Sequence, residues 1–98
     1  MTARELTGQL QPYADEDIDQ VVTESGENIT GIYPDGTYIV LTTSETDDSL
    51  SVDGLIAGLE RLDLADQGRE VVTDSMADIC SAAYECVCAP TVYLKHTI

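Results

Sequence analysis

The sequence predicts an α+β fold: a three- to four-stranded antiparallel sheet with an N-terminal helix and two C-terminal helices packed on it. The first supporting observation is a β-prone stretch, residues 29–43, in which branched and aromatic residues flank Pro34-Asp35-Gly36. The second is a pair of apolar stripes at helical spacing, in residues 52–64 and 72–88. The length of 98 residues indicates one domain, residues 1–98.

The predicted hairpin turns at Pro34-Asp35-Gly36. Pro34 presets φ for the first corner of a type I turn, and Gly36 accepts the left-handed conformation that follows. This chemistry predicts a three-residue hairpin loop that closes on a β-bulge.

The N-terminal segment begins with a helix signal. Thr2 and Glu5 match a capping box, and Leu6 and Leu10 lie one turn apart, which predicts a helix over residues 3–11. Residues 13–25 fit either a helix or a strand. We prefer a strand over residues 19–24, which with the hairpin forms a three-stranded antiparallel meander.

The C-terminal half predicts two helices and a strand. Ser51 is a candidate N-cap for a helix over residues 52–64. The stripe in residues 72–88 predicts the longest helix, which Pro90 ends. Alternation in residues 91–98 predicts a last strand that joins the meander, with His96 packed on its apolar face. We expect no internal repeat.

Charge is the main functional signal. The net charge is −15, from 19 carboxylates against 4 basic residues. Such a charge disfavours direct binding to nucleic acid or to an anionic membrane, which need basic surfaces, and favours a basic protein partner. Solubility or adaptation to a salty cytosol is the alternative explanation. The absence of a signal-peptide pattern or a long apolar run predicts a cytoplasmic protein.

Catalytic and metal-binding patterns are weak. Cys80, Cys86, Cys88 and His96 lack the close cysteine pairs of structural zinc sites, so we expect reduced, metal-free thiols. The acid run 15–19 starts like a calcium-binding loop but lacks its glycine and its last glutamate. The sequence carries no phosphate-binding loop and no nucleophile elbow. We therefore expect no enzyme activity and no cofactor.

The order of predicted elements resembles that of small phage anti-CRISPR proteins that mimic nucleic acid. The hairpin 29–43, the acidic linker 45–53 and the helix 52–64 carry this resemblance, through element order and charge. It implies that carboxylates occupy a cationic groove on a CRISPR effector. The same order also resembles type III secretion chaperones, which are small, acidic and dimeric, and immunity proteins that neutralise a nuclease are physically similar.

We therefore predict a non-enzymatic inhibitor, monomer or dimer, that binds a basic surface of a CRISPR effector or another nuclease. Its candidate binding residues form the two densest acid clusters, together with the hairpin tip. They are Asp15, Glu16, Asp17, Asp35, Glu45, Asp47, Asp48 and Asp53.

Overall fold

A computed structural model describes residues 1–14, 16, 18–45, 48–86 (backbone only at residue 86) and 90–96. The elements in chain order are α1 (Ala3–Leu10), a 3₁₀ turn (Gln11–Tyr13), β1 (Gln20–Thr23), β2 (Asn28–Asp35), β3 (Tyr38–Ser44), α2 (Val52–Glu60), α3 (Leu64–Gln67), β4 (Glu70–Thr73), β5 (Ile79–Cys86) and β6 (Pro90–His96).

The six strands form one mixed sheet in the order β4-β3-β2-β1-β6-β5. Strands β1 and β6 pair in parallel, as do β3 and β4, while the other neighbours are antiparallel. The predicted three- to four-stranded antiparallel sheet is therefore wrong in strand number and direction, although the fold remains α+β. The strand preferred for residues 19–24 is present as β1, and β6 supplies the strand predicted for residues 91–98 as far as His96, since residues 97 and 98 lie outside the described residues.

The helix predicted for residues 72–88 is wrong. That region holds β4 and β5 instead, joined by a turn in which Met76 has a φ of 65°. The helical spacing misled because Val71, Val72 and Thr73 are all buried, so this strand has no solvent face to reveal a period of two.

The predicted helix 52–64 is shorter than expected. It ends at Glu60, and the separate short helix α3 follows. The predicted capping box of α1 is confirmed: the Thr2 side chain accepts the N–H of Glu5 and the Glu5 side chain accepts that of Thr2. None of the helices in the described ranges is long and apolar enough to cross a membrane.

The hairpin 29–43 is confirmed, but its loop is shorter than predicted. Asp35 pairs with Tyr38, which leaves Gly36 and Thr37 as the two loop residues, and Pro34 belongs to β2. Gly36 has the expected positive φ, 56°. A positive φ at the first of two loop residues is typical of type II′ hairpin turns.

The chain contains two copies of the same unit, contrary to the expectation of no repeat. We call α1 to β3 the first half and α2 to β6 the second half. The segment Gln20-Val-Val-Thr-Glu-Ser-Gly-Glu-Asn-Ile29 has its counterpart in Glu70-Val-Val-Thr-Asp-Ser-Met-Ala-Asp-Ile79. Both halves have the order helix, strand, tight turn, hairpin.

Strand registers show that the two halves are related by a pseudo-twofold axis. Val21 pairs with Val92 of β6, and its counterpart Val71 pairs with Ile39 of β3. Each hairpin also shifts register at the same place, between Ile29 and Gly31 in the first half and between Ile79 and Ser81 in the second. Irregularities at matching positions indicate one shared backbone plan.

Each half completes the sheet of the other. The hairpin β2–β3 takes β4 of the second half as its third strand, and the hairpin β5–β6 takes β1 of the first half. Single antiparallel pairs, Val22 with Asn28 and Val72 with Asp78, then join the two three-stranded units on either side. The second of these pairs brings the outer strands β4 and β5 together.

One apolar core lies between the helices and one face of the strands. Helices α1 and α2 contact each other, and both halves contribute fully buried side chains. Matching pairs in this core are Leu6 and Leu55, Leu10 and Leu59, Ile29 and Ile79, Ile39 and Val92, and Leu41 and Leu94. The halves are therefore packed as one unit and not as separate lobes.

Candidate acidic interface and adjoining cavity

The two acidic segments of the sequence lie side by side. The N–H of Val52 donates to the carbonyl of Ile18 at 3.0 Å, and the N–H of Val21 donates to Ser49 Oγ at 2.7 Å. The N–H of Leu50 donates to the carbonyl of Ile29 at 2.7 Å. These bonds hold the linker between β3 and α2 against the chain that leads into β1.

This arrangement creates what we call the acid surface. It consists of the exposed carboxylates of these two segments within the described ranges, Glu16, Asp19, Glu45, Asp48 and Asp53. Of the predicted binding residues, Asp15, Asp17 and Asp47 lie outside the described residues. Asp19 belongs to the acid run but was not predicted as a binding residue, and its place between Ile18 and β1 puts it next to the linker.

Asp35 lies apart from this group by strand pairing. It occupies the tip of the first hairpin, where its partner Tyr38 also pairs with Glu70 at the start of β4. The acid run instead leads into β1, whose first residue Gln20 pairs with Thr91 next to the second hairpin. The structure thus brings the described acids of the two segments together and leaves the hairpin tip in the other three-stranded unit.

The acid surface has no internal neutralisation by basic side chains. Among the described residues, the ion pairs are Met1 with Glu70 and Arg69 with Asp66, and neither involves the acid surface. Asp53 sits in the first turn of α2, where the helix dipole favours a negative charge. Five exposed carboxylates with no paired cation produce a negative potential that extends about one Debye length, roughly 8–10 Å at physiological salt.

Apart from the acid surface, the structure contains a cavity of about 300 Å³. The turns after β1 and β4 line it together with the end of β6. Its lining residues are Ser25, Glu27, Thr73, Ser75, Met76, Ala77 and His96. His96, predicted to pack on an apolar face, is half-buried here, and its Nε2 lies 3.4 Å from Ser25 Oγ.

Carboxylates of the same two turns hold the ends of β3 and β6. Glu24 Oε1 accepts the N–H of His96 at 2.8 Å, and Asp74 Oδ2 accepts the N–H of Thr43 at 3.1 Å. Thr43 Oγ1 donates to Asp74 Oδ1 at 2.8 Å and lies 3.4 Å from Glu27 Oε2. The sequence predictions did not include this site. Its sign in the sequence is the similarity between the two turns that line the cavity, and no repeat was expected.

Of the three cysteines predicted to be reduced and metal-free, the structure describes the side chain of one. Cys80 is an exposed free thiol on β5. The side chains of Cys86 and Cys88 lie outside the described residues. Across the described ranges, no group of three or more histidine, cysteine, aspartate or glutamate side chains is arranged to hold a metal ion.

Comparisons with known protein families, with curated proteins and with solved structures found no match to this chain.

Proposed function

We propose that this protein is a non-enzymatic binding protein whose acid surface docks on a basic surface of a nucleic-acid-processing protein. The observation that supports the proposal most is the hydrogen bond between Val52 and Ile18, since it holds the two acidic chain segments side by side. The net charge of −15 acts in the same direction. Such a surface attracts a basic partner at long range and speeds association at low salt.

The partner class that we propose is a nuclease or a CRISPR effector, and it rests on charge alone. In the structure, α1, β1, β2, β3 and α2 follow one another in the chain order that the sequence predicted. After α2 come the four-residue helix α3 and then three strands, whereas the resemblance expected a second long helix. Carboxylates that substitute for phosphates in a cationic groove remain the proposed mechanism.

The proposal is tested by capture of partners from a bacterial lysate, followed by binding measurements over a range of salt concentrations. The acid-surface variant combines Glu16→Gln, Asp19→Asn, Asp48→Asn and Asp53→Asn. The matched control combines Glu60→Gln, Asp63→Asn, Asp78→Asn and Glu85→Gln, which are exposed acids outside the acid surface. Each variant changes the net charge from −15 to −11.

We expect the acid-surface variant to weaken binding about tenfold and to flatten the salt dependence, since exposed charge pairs contribute a few tenths of a kcal/mol each. The control should change affinity less than about twofold. Equal losses in both variants would mean that net charge matters and the acid surface does not. Unchanged affinity in both would contradict the proposal and favour an apolar, chaperone-like interface. Loss of the native fold at low salt would favour salt adaptation.

A further inference from the structure

The cavity crosses the pseudo-twofold axis. It is lined by both Ser25 and its counterpart Ser75, and by both Glu27 and its counterpart Ala77. The two turns have equivalent backbone hydrogen bonds: the N–H of Thr23 donates to the carbonyl of Glu27, and that of Thr73 to the carbonyl of Ala77. The two turns that form the cavity walls therefore have the same backbone arrangement. The side chains that differ between them determine the chemical character of the cavity.

Three positions around the cavity differ between the halves. Met76 stands where the first half has Gly26, Glu27 where the second half has Ala77, and His96 where the first half has Thr43. Together they give the cavity one flexible apolar side chain, one carboxylate and one imidazole.

Met76 is the least expected of these residues. Its φ of 65° is a left-handed conformation that glycine adopts at no steric cost, and Gly26 has a φ of 88° at the same place. Met76 is also 58% exposed, so burial does little to compensate for the backbone conformation. Strained residues with no packing role are often found at binding sites, and Met76 borders the cavity.

We propose that this cavity binds an alkyl ammonium or alkyl guanidinium group. The Glu27 carboxylate accepts hydrogen bonds from the cation, and Ser25 and Ser75 offer further oxygen acceptors. Met76 and Ala77 provide an apolar wall for the alkyl stem, since long cationic side chains place their stems on apolar surface. Glu24 and Asp74 add two further carboxylates to the turns that line the cavity, and their charge disfavours anions.

The cation has two sources, a free small amine or a basic side chain of a partner protein. Glu45 of the acid surface comes two residues after Thr43, which contacts Glu27 and Asp74. A lysine or arginine of a partner docked on the acid surface is therefore one candidate source of the cation. The binding of a free amine does not depend on the proposed function.

The test is a titration of the ¹⁵N-labelled full chain, followed by NMR at low salt. The probes are agmatine and cadaverine, with pentanol as the neutral control for the alkyl stem. A capped Gly-Arg-Gly peptide and free agmatine distinguish the two sources: tighter binding of the peptide indicates a partner side chain, and tighter binding of agmatine a small molecule. The expected result is saturable shifts of the amides of residues 24–27, 74–77 and 96, with little effect of pentanol.

Glu27→Ala is the decisive variant, because Ala77 shows that the turn accepts alanine at this position. We expect it to weaken cation binding about tenfold or more, as the loss of a hydrogen bond to a charged group would. Asp78→Asn makes the same change in net charge outside the cavity and should leave affinity unchanged. Shifts spread over the acid surface, equal shifts with pentanol, or unchanged affinity in Glu27→Ala would overturn the proposal.

Discussion

The turns that follow β1 and β4 agree at the threonine that holds the backbone and at the serine that lines the cavity, and they differ at the two positions after that serine. Thr23 and Thr73 both accept a backbone N–H through the hydroxyl, from Glu27 and Ala77. Those two positions carry Gly26 and Glu27 in one turn and Met76 and Ala77 in the other, and all of them except Gly26 line the cavity. The threonines therefore serve the fold, whereas the two positions after the serine carry the difference between the halves.

The chain segments that lead into β1 and β4 also differ, in this case in charge. The first is the acid run, whereas the second contains Arg61 and Arg69, and Arg69 pairs with Asp66 at 3.1 Å. Both segments lead into strands with the same pairing, so the fold does not require the acids.

The largest expected effect tests whether the halves contribute equally to one core. Leu41→Ala and Leu94→Ala remove matching, fully buried side chains. Each should lower the free energy of unfolding by about 2–5 kcal/mol, through lost burial and a cavity. Denaturant unfolding followed by far-ultraviolet circular dichroism measures this. Similar losses in a single transition fit one cooperative unit, and a second transition in either variant would contradict it.

The next prediction concerns the contact between each helix and the hairpin of the other half. The smaller residue is on the helix in one of these contacts and on the strand in the other. Gly58 of α2 faces Ile32, where an added Cβ would lie 2.8 Å from Ile32 Cγ2. In the equivalent contact, Gln9 of α1 faces Ala82 of β5, and its side-chain oxygen accepts the N–H of Ala82 at 2.8 Å. Gly58→Ala should therefore destabilise the protein by about 1–2 kcal/mol, since the clash outweighs the gain of up to about 1 kcal/mol in helix propensity.

The control for that contact is the double variant Gly58→Ala with Ile32→Ala. Thermal unfolding should show that the second change costs less in the presence of the first than alone, because it removes the clashing methyl group. Strict additivity of the two changes would show that the close approach of α2 to β2 does not limit stability.

Met76 and Gly26 allow a reciprocal test of the left-handed position. Gly26→Ala should destabilise the protein by about 1 kcal/mol, because alanine is strained at positive φ. Met76→Gly should be neutral or stabilising by up to about 1 kcal/mol, and it should weaken cadaverine binding by removing the apolar wall. Denaturation midpoints and the NMR titration measure the two effects. A clear loss of stability in Met76→Gly would mean that Met76 serves the fold.

Local signals predicted most of the first half. The capping box at Thr2, the glycine at position 36 and the β-branched run around Ile39 act over a few residues, so α1 and the hairpin followed from sequence. In the second half the prediction was wrong at β4 and β5, because Val72, Met76 and Ile79 fit a helical stripe as well as a strand–turn–strand. Comparison of the sequence with itself would have resolved this, because residues 70–79 resemble residues 20–29.

The candidate site was only partly predictable for a different reason. The acid clusters are visible as composition, but their proximity depends on the hydrogen bond between Ile18 and Val52, which are distant in sequence. The cavity depends on two turns from different halves and on His96 near the end of the chain. Such contacts follow from strand order, and the predicted strand order lacked β4 and β5.

The smallest expected effect compares matching exposed positions of the two helices. Gly8 lies in α1, where an added Cβ would meet no atom within 4 Å, and its counterpart in α2 is the exposed Ala57. Gly8→Ala should raise the free energy of unfolding by about 0.5–1 kcal/mol, because glycine loses more backbone entropy in a helix than alanine. Ala57→Gly should lower it by a similar amount. Urea unfolding midpoints at constant slope measure both changes. If the Gly8 variant gained nothing while Ala57→Gly showed its full cost, α1 and α2 would not be equivalent in the folded chain, and the pseudo-twofold relation would hold for the strands alone.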